Sequence, residues 1–408
     1  MTSVPVTGKG HDSRRRFSLI SRRAFLGASA AAATFPLWNS AFASATTPDT
    51  AKVAFDDQSG AGQSYAYITG TTLDNRLVIL KADGTPYYPP SPGSDHTPLG
   101  EDCAIPLKSL SQVTVPKMYA ARIYVALENK LDFFVNQGPA LVHPSFLDAN
   151  DPNYNRTWSF CEFTFNNDVL FANISYVDFV AIPIGLHLTT TGSGDQTVPG
   201  LPARSLDPIC DALNAQGGKW GTLIETGGDG KPLRALSAHY RADQFGGYLD
   251  GYIDEAWKKY ASETLTVDTQ VPGLGAFTGQ VGADGVLAFD NGERFDKPAT
   301  PDVWSCDSGP FAIKEGDSDA RKAIIPRLAA ALNRTTLRDN PKQPTGEDPA
   351  KFYQNPETNH YARIVHSKLP DNRGYAFPYD DVSPGPDFSG AVQAGDPDTL
   401  TITVNALR

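Results

Sequence analysis

Short runs of alternating apolar and polar residues, separated by turns, fill the first part of the chain. Examples between positions 51 and 188 are SYAYITGTT, NRLVILKA, KMYAARIYVAL and KLDFFV. Alternation with a period of two predicts strands with one buried face. The Pro- and Gly-rich stretch 87–100 predicts a loop. This part of the chain therefore predicts a β-sandwich or β-barrel domain.

After Thr189 the pattern changes to helical spacing. A turn-rich linker at 192–202 precedes predicted helices at 206–214, 247–260 and 318–333, and Pro326 predicts a kink or a late start in the last of them. Strand-like pieces, LTVDTQ and GVLAFD, lie between the helices, so we expect a mixed α/β domain over 190–355. Strand-like sequence returns at 363–366, 374–377 and 400–404.

Two carboxylates interrupt the apolar, strand-like segment WSFCEFTFNNDVLFANISYVDFVAI at 158–182. They are Glu162 and Asp178. An ionised carboxyl away from water costs free energy unless it is paired or hydrogen-bonded, so such positions often have acid–base roles. The alternative is an exposed Glu and an Asp bound to backbone amides or an arginine, and spacing alone favours it.

Alternation divides the first run of this segment into two faces. Cys161, Phe163 and Phe165 predict a buried layer. The opposite face suits a sugar because it offers rings, a hydroxyl, an amide and an acid: Trp158, Phe160, Glu162, Thr164 and Asn166. A hairpin centred near Leu170 would set Glu162 opposite Asp178 and Thr164 opposite Tyr176.

Two acids that face one groove suit glycoside hydrolysis. One protonates the leaving oxygen, and the other activates water or attacks the sugar. A carboxyl separation of about 6.5–9.5 Å predicts inversion, and one of about 5 Å predicts retention. The sequence has no HExxH, CxxC, phosphate-binding Gly–Lys loop or GxSxG, so we expect no metal, no cofactor and neither phosphoryl nor ester chemistry.

The segments CEFTFN and NISYVDFVAIPIGL resemble glycoside hydrolase family 64, the thaumatin-like endo-β-1,3-glucanases that release laminarin oligosaccharides. Further resemblances follow in order along the chain: GYLDGYIDEAWKKY, DVWSCDSGPF, NHYARIVHSKL and GYAFPYDDV. The last is also similar to the YPxDD signature of plant thaumatin-like proteins. The resemblance covers nearly the whole chain beyond its N-terminal segment.

The resemblance implies roles for particular residues. Glu162 would be the general acid and Asp178 the general base of an inverting mechanism, with Thr164 and Asn166 lining the substrate groove. Phe171 stands about where the family places an aromatic residue, and it offers a stacking face without the N–H donor of an indole. Further candidate substrate-binding residues are Tyr176, Tyr379, Asp380 and Asp381.

The last three of these candidates have a second interpretation. Tyr379 could simply pack, and Asp380 and Asp381 could form an acidic turn after Pro378. The resemblance also implies the architecture. A thaumatin-like β domain (44–189 with 356–408) would carry the mixed α/β domain (190–355) as an insertion that forms the second wall of a wide cleft.

The first 43 residues predict export. SRRAFL at 21–26 matches a twin-arginine signal, and an Ala-rich stretch and AFA at 41–43 follow it as a cleavage site. The apolar run, broken by Pro36 and Asn39, is too short for a membrane anchor. We therefore expect a secreted bacterial protein that begins at Ser44 and has no membrane partner after signal removal.

Removal of the signal also changes the charge. Residues 1–43 carry six Lys or Arg and one Asp, so the formal net charge goes from −11 to −16. An acidic surface disfavours nucleic acid and is compatible with a neutral polysaccharide. Four cysteines allow three disulfide pairings. A disulfide between Cys210 and Cys306 is favoured because both residues flank loops of the middle region. Cys161 is equally well predicted as a buried thiol.

The sequence thus predicts a secreted, monomeric, inverting endo-β-1,3-glucanase. Its substrate would be long-chain β-1,3-glucan of the laminarin or curdlan type, and its products short laminarin oligosaccharides. Two alternatives stay open: a non-catalytic thaumatin-like β-glucan-binding protein, and a glycosidase for another polymer. The sequence sets neither the product length nor the exact glucan preference.

Overall fold

A computed structural model describes residues 47–408 of the chain. The predicted export signal at 1–43 lies outside the described residues and stays a prediction. Within the described range, no helix combines the length and apolarity that crossing a membrane requires.

Strands occupy most of the chain before the first helix. They are β1 (Thr50–Gln58), β2 (Ser64–Thr72), β3 (Leu77–Leu80), β4 (Pro86–Tyr87), β5 (Thr97–Pro98), β6 (Ile105–Pro106), β7 (Gln112–Pro116), β8 (Met118–Leu127), β9 (Phe134–Asn136), β10 (Ala140–Val142), β11 (Thr157–Phe165), β12 (Leu170–Ile174), β13 (Phe179–Val180), β14 (Ile184–Thr190) and β15 (Gln196–Val198).

Helices and strands alternate in the rest of the chain. They are α1 (Leu206–Gln216), β16 (Ile224–Thr226), β17 (Pro232–Leu236), α2 (Asp250–Tyr260), β18 (Leu265–Asp268), β19 (Ala276–Val281), β20 (Leu287–Phe289), β21 (Arg294–Phe295), α3 (Thr300–Ser305), α4 (Asp319–Asn333), β22 (Lys342–Gln343), α5 (His360–Lys368), β23 (Ala391–Ala394) and β24 (Pro397–Asn405). Short 3₁₀ turns join some of them, including Ala238–Arg241.

Two large sheets share one hydrophobic core. The first has the order β15-β14-β24-β1-β7, and the second has the order β23-β12-β11-β8-β2-β3-β4, with β6 paired to β2. Val53 and Leu400 from the first sheet join Ile123 and Phe163 from the second in this core. Alternating strands bury one face each, which explains the pairing of the sheets. The predicted mainly β fold is confirmed.

The last strand returns to the first sheet. β24 lies between β14, which is antiparallel to it, and β1, which is parallel to it. β13 pairs with β17, so a small sheet joins residues 179–180 to residues 232–236 across the predicted domain boundary at 190. The boundaries at 190 and 355 stay predictions.

The helices predicted at 206–214, 247–260 and 318–333 correspond to α1, α2 and α4. α4 begins at Asp319 because Ser318 caps it, accepting a hydrogen bond from the Arg321 N–H at 2.9 Å. Pro326 lies inside the helix, so the predicted late start is wrong.

Two predicted strand-like pieces near the C-terminus are wrong. Residues 363–366 lie in α5, which Asn359 caps by accepting from the Ala362 N–H at 3.0 Å. The helical spacing of Tyr361, Ile364 and Val365, all buried, extends beyond the short window that suggested a strand. At 374–377 the only strand-like pairing in the described chain is a single bridge between Tyr375 and Ser175.

The cysteines are buried thiols, so the predicted Cys210–Cys306 disulfide is not formed. Cys306 instead donates to the Val303 carbonyl at 3.3 Å. The prediction of Cys161 as a buried thiol is confirmed, and burial raises its pKa to about 12. The Cys161 thiol is therefore protonated at neutral pH and packs as a small apolar side chain.

Candidate active site

Glu162 lies at the middle of the second sheet, with a different polar residue on each side. On β8 its partner is Arg122, and on β12 its partner is Asn173. Its side chain is 25% exposed, whereas Cys161 and Phe163 beside it are buried in the core. The predicted buried layer on the odd-numbered face of β11 is therefore confirmed.

The hairpin formed by β11 and β12 has a different register from the predicted one. Phe165 pairs with Leu170 and Thr164 with Phe171, so Glu162 lies opposite Asn173 and not opposite Asp178. Asn166 causes the shift because its side-chain oxygen accepts hydrogen bonds from the backbone N–H groups two and three residues later, at 2.8 and 2.9 Å. These bonds close the turn earlier than the prediction placed it.

This register gives Glu162 new neighbours on the open face of the sheet. Thr164, Phe171 and Asn173 are all partly exposed and share that face. Thr164 and Phe171 were predicted there, whereas Asn173 was not. Asn166 lies at the turn, where its side-chain oxygen holds the backbone, and this is a different position from the predicted one on the face of the groove.

The aromatic half of the predicted sugar-binding face is covered. Trp158 is 1% exposed and Phe160 is 6% exposed, and both belong to a second hydrophobic cluster with Tyr124 and Phe179. The indole N–H of Trp158 donates to the Asn153 carbonyl at 3.1 Å. The alternation was predicted correctly, but this cluster lies over the even-numbered face. On the even-numbered face of β11, only the part from Glu162 onwards is partly open.

Asp178 lies at a bend between β12 and β13 and is partly exposed. Its backbone carbonyl accepts a hydrogen bond from the Ser237 N–H at 3.0 Å. Its carboxylate oxygen Oδ1 accepts a hydrogen bond from the Tyr240 hydroxyl at 2.5 Å. The residues that follow β17 therefore hold Asp178 at two points.

Arg122 links the two carboxylates electrostatically. Its Nε and Nη2 lie 3.1 and 3.0 Å from Glu162 Oε1. Burial disfavours the charge of this guanidinium, but Tyr124, Glu162 and Asp178 outweigh it and raise the pKa of Arg122 above its usual range. Glu162 thus pairs directly with this cation and Asp178 influences its pKa, although the two carboxylates are not cross-strand partners.

Sequence reasoning missed Arg122 and Tyr240. Arg122 had a usable signal, because it is a single charge in the apolar run KMYAARIYVAL, the same signal that marked Glu162. Tyr240 had none, because its segment is distant in sequence and has no strand or helix pattern.

Tyr176 and Tyr379 have core positions. Tyr176 is 4% exposed, and its hydroxyl accepts a hydrogen bond from the Leu201 N–H at 2.9 Å. Tyr379 is also buried in the main core. These positions correct the predicted direct contact with substrate, and for Tyr379 they favour the packing interpretation.

Asp380 and Asp381 occupy different environments. Asp380 is buried and accepts from Arg334 Nη2 at 3.0 Å, His366 Nε2 at 2.7 Å and the Ala376 N–H at 2.9 Å. It is a structural carboxylate, which corrects its predicted contact with sugar. Asp381 is partly exposed, and burial raises its pKa to about 6 against the opposing effect of Arg327. Asp381 stays a candidate substrate-binding residue.

Residues 47–408 contain no group of three or more His, Cys, Asp or Glu placed to hold a metal ion. The candidate site brings together two carboxylates, one guanidinium and a tyrosine hydroxyl. Such a set, on the open face of a β-sheet, can exchange protons with a sugar linkage and a water.

Comparison with known proteins defines the class. The family model of the β-1,3-glucanases, glycoside hydrolase family 64, matches residues 49–404. The chain belongs to this family, which confirms the resemblance seen in the sequence.

Individual relatives agree with this assignment. Proteins named glucan endo-1,3-β-glucosidase from Arthrobacter sp. (strain YCWD3) and Cellulosimicrobium cellulans are each 28% identical over 377 residues, which is 89% of this chain and 67% of each relative. A crystal structure of a laminaripentaose-producing β-1,3-glucanase in complex with laminaritetraose is 31% identical, with a TM-score of 0.78 over 88% of this chain and 100% of that one.

A β-1,3-glucanase domain from Clostridium beijerinckii is similar in fold. It is 23% identical, with a TM-score of 0.73 over 88% of this chain and 98% of that domain.

Proposed function

We propose that this family 64 glycoside hydrolase is a secreted, inverting endo-β-1,3-glucanase that cuts long-chain β-1,3-glucan into short laminarin oligosaccharides. The observation that carries the proposal is that Glu162, on a partly open sheet face, pairs with Arg122, and that Asp178, at the bend after β12, also acts electrostatically on this guanidinium. Family membership gives the linkage, and the relative in complex with laminaritetraose supports the substrate class.

The proposed mechanism divides the work between the two carboxylates. Glu162 donates a proton to the glycosidic oxygen as the bond from that oxygen to the anomeric carbon breaks. Asp178 takes a proton from the water that attacks the same carbon from the opposite side. One water is consumed, and a β-linkage gives a product with an α-configured reducing end.

The pair with Arg122 constrains the acid step. Both nitrogens of Arg122 that contact Glu162 donate to the same oxygen, Oε1. The other oxygen, Oε2, would therefore carry the proton that passes to the glycosidic oxygen, while Arg122 keeps the carboxyl group in place.

The substrate would lie along the open face beyond Glu162. Phe171 can stack on a glucose ring, and Thr164 and Asn173 can exchange hydrogen bonds with its hydroxyls. Asp381 is a further candidate ligand. The wide cleft would be completed by residues 190–355 as an inserted domain on a thaumatin-like β domain, and the enzyme would work as an exported monomer without a cofactor.

Product analysis tests the proposal. The mature protein is incubated with laminarin and with curdlan, soluble oligosaccharides are separated by chromatography, and NMR of early product reports the anomeric configuration. We expect internal cleavage and an initial α-anomer. Glu162→Gln and Asp178→Asn should each lower turnover about 10²- to 10⁴-fold.

The matched control is Asp74→Asn, which neutralises an exposed carboxylate paired with Arg76. It should leave turnover unchanged. Binding to curdlan without release of soluble sugar would contradict the enzyme proposal and favour a binding protein. An initial β-anomer would contradict inversion alone, and wild-type-like turnover in either active-site variant would overturn that residue's role.

A further inference from the structure

We propose that Tyr240 is a positioning residue that aligns Asp178 for base catalysis. The inference rests on the proposed function, because it takes Asp178 as the base. Tyr240 belongs to the region 190–355 predicted as a separate domain, so that region would align the catalytic base as well as form a wall of the cleft.

The contact between the two residues is short and charge-assisted. The Tyr240 hydroxyl donates to Asp178 Oδ1 at 2.5 Å, which is at the short end of the range for a hydroxyl and a carboxylate. The Ser237 N–H donates to the backbone carbonyl of Asp178 at 3.0 Å. One turn of chain, 237–240, therefore fixes both the backbone and the carboxylate of this residue.

Asp178 requires such support because of where it lies. It occupies a bend between β12 and β13, outside either strand ladder. A carboxylate on a bend can rotate about its side-chain bonds unless something holds it. A base that positions water loses much of its effect when it is displaced by about 1 Å.

Tyr240 is itself held firmly. It sits in the 3₁₀ turn Ala238–Arg241, and its ring meets the ring of Phe146 edge-on, with centroids 4.9 Å apart and planes at 88°. Arg241, the next residue, pairs with Glu225. Glu225 also accepts a hydrogen bond from the Tyr154 hydroxyl at 2.7 Å.

The neighbouring Tyr154 supplies a matched control. Tyr154→Phe and Tyr240→Phe each remove one hydroxyl that donates to a carboxylate, and both keep the aromatic ring. Only Tyr240→Phe removes a hydrogen bond to Asp178, because the Tyr154 hydroxyl donates to Glu225. A general weakening of this region would affect both variants alike, whereas loss of base alignment would affect one.

The experiment measures kcat and KM on laminarin, together with thermal unfolding, for wild type, Tyr240→Phe, Tyr154→Phe and Asp178→Asn. We expect Tyr240→Phe to lower kcat about tenfold to a hundredfold with KM within about twofold of wild type. Tyr154→Phe should leave kcat within about twofold, and the two tyrosine variants should have similar melting temperatures.

The possible outcomes separate this inference from the proposed function. If Asp178→Asn is inactive and Tyr240→Phe matches Tyr154→Phe, the positioning role is wrong while the base assignment stands. If Asp178→Asn keeps wild-type turnover, both are wrong. A loss in Tyr240→Phe that appears only in KM, or that follows a lowered melting temperature, would also overturn the positioning role.

Discussion

Arg122 approaches Glu162 with two nitrogens, Nε at 3.1 Å and Nη2 at 3.0 Å, and both contact the same carboxylate oxygen, Oε1. The guanidinium also lies over the ring of Phe160, with its central carbon 4.5 Å from the ring centroid. A stacked group that points two donors at one oxygen fixes the orientation of that carboxylate. Oε2 is therefore the oxygen that we expect to meet the glycosidic oxygen.

Two substitutions of Arg122 should lower activity to different extents. Arg122→Lys keeps the charge but loses the planar fork and the stacking, so we expect kcat/KM on laminarin to fall about tenfold. Arg122→Gln also removes the positive charge on which both Glu162 and Asp178 act, and kcat/KM should fall further. Arg76→Lys, at an exposed ion pair with Asp74, is the control and should have no effect. Equal activity of both Arg122 variants and wild type would contradict a role in the site.

Phe171 is expected to set the strength of one glucose subsite. It faces the groove opposite Thr164, and a larger ring there offers more stacking area and an N–H donor. Phe171→Trp should lower KM for laminarin oligosaccharides, and Phe171→Ala should raise it, each about twofold to tenfold, since such stacking contributes about 0.5–1.5 kcal/mol.

The control for the Phe171 series is Tyr88→Ala. This removes an exposed ring that lies under Arg76, outside the candidate site. Steady-state kinetics on oligosaccharides of defined length would show at which chain length the Phe171 variants begin to differ from wild type. If Phe171→Ala and Tyr88→Ala have the same KM, Phe171 does not contact substrate.

The sequence allowed correct prediction of the features that depend on local periodicity. The alternation of β11 correctly predicted the buried Cys161 and Phe163, and helical spacing correctly predicted α1, α2 and α4. The hairpin register was wrong because one side chain, Asn166, closes the turn through hydrogen bonds that periodicity does not show.

Features that depend on distant residues could not be predicted. Trp158 and Phe160 were expected to face sugar, but they are buried in a cluster that includes residues distant in sequence, such as Leu236. Asp380 was expected at the cleft, yet it is buried in the core, where it pairs with Arg334 and His366. Family resemblance identifies candidate acids, but only the fold shows which of them are buried.

Asp380 should stabilise the fold in a pH-dependent way. Burial disfavours its charge, but His366, Arg334 and the Ala376 N–H outweigh burial and hold its pKa below the usual value. A carboxylate with a lowered folded-state pKa contributes stability that is present above the unfolded-state value, about pH 4, and is lost as the pH falls through the folded-state value. Removal of one partner of such a buried pair costs about 3–5 kcal/mol.

Denaturant unfolding at several pH values tests this prediction. Asp380→Asn should be much less stable than wild type at pH 7, and the difference should shrink as the pH falls below about 4. Asp74→Asn, at the surface, is the control and should change little at any pH. An Asp380→Asn variant as stable as wild type at pH 7 would show that Arg334 is satisfied without this carboxylate.

Asp381 should behave in the opposite way, although it is the next residue. Burial raises its pKa to about 6, against the lowering effect of Arg327. A carboxylate with a raised folded-state pKa favours folding while it is protonated, and this contribution is lost as the pH rises from about 4 through 6.

Asp381→Asn removes the titration, so the variant should be more stable than wild type at pH 7.5, by about 1–3 kcal/mol, and similar to it near pH 4. Denaturant unfolding at both pH values checks the sign, and a variant less stable than wild type at pH 7.5 would mean that the electrostatic attraction of Arg327 outweighs burial. Kinetics on laminarin then separate two roles: if Asp381 also binds glucan, the same substitution raises KM while it raises stability.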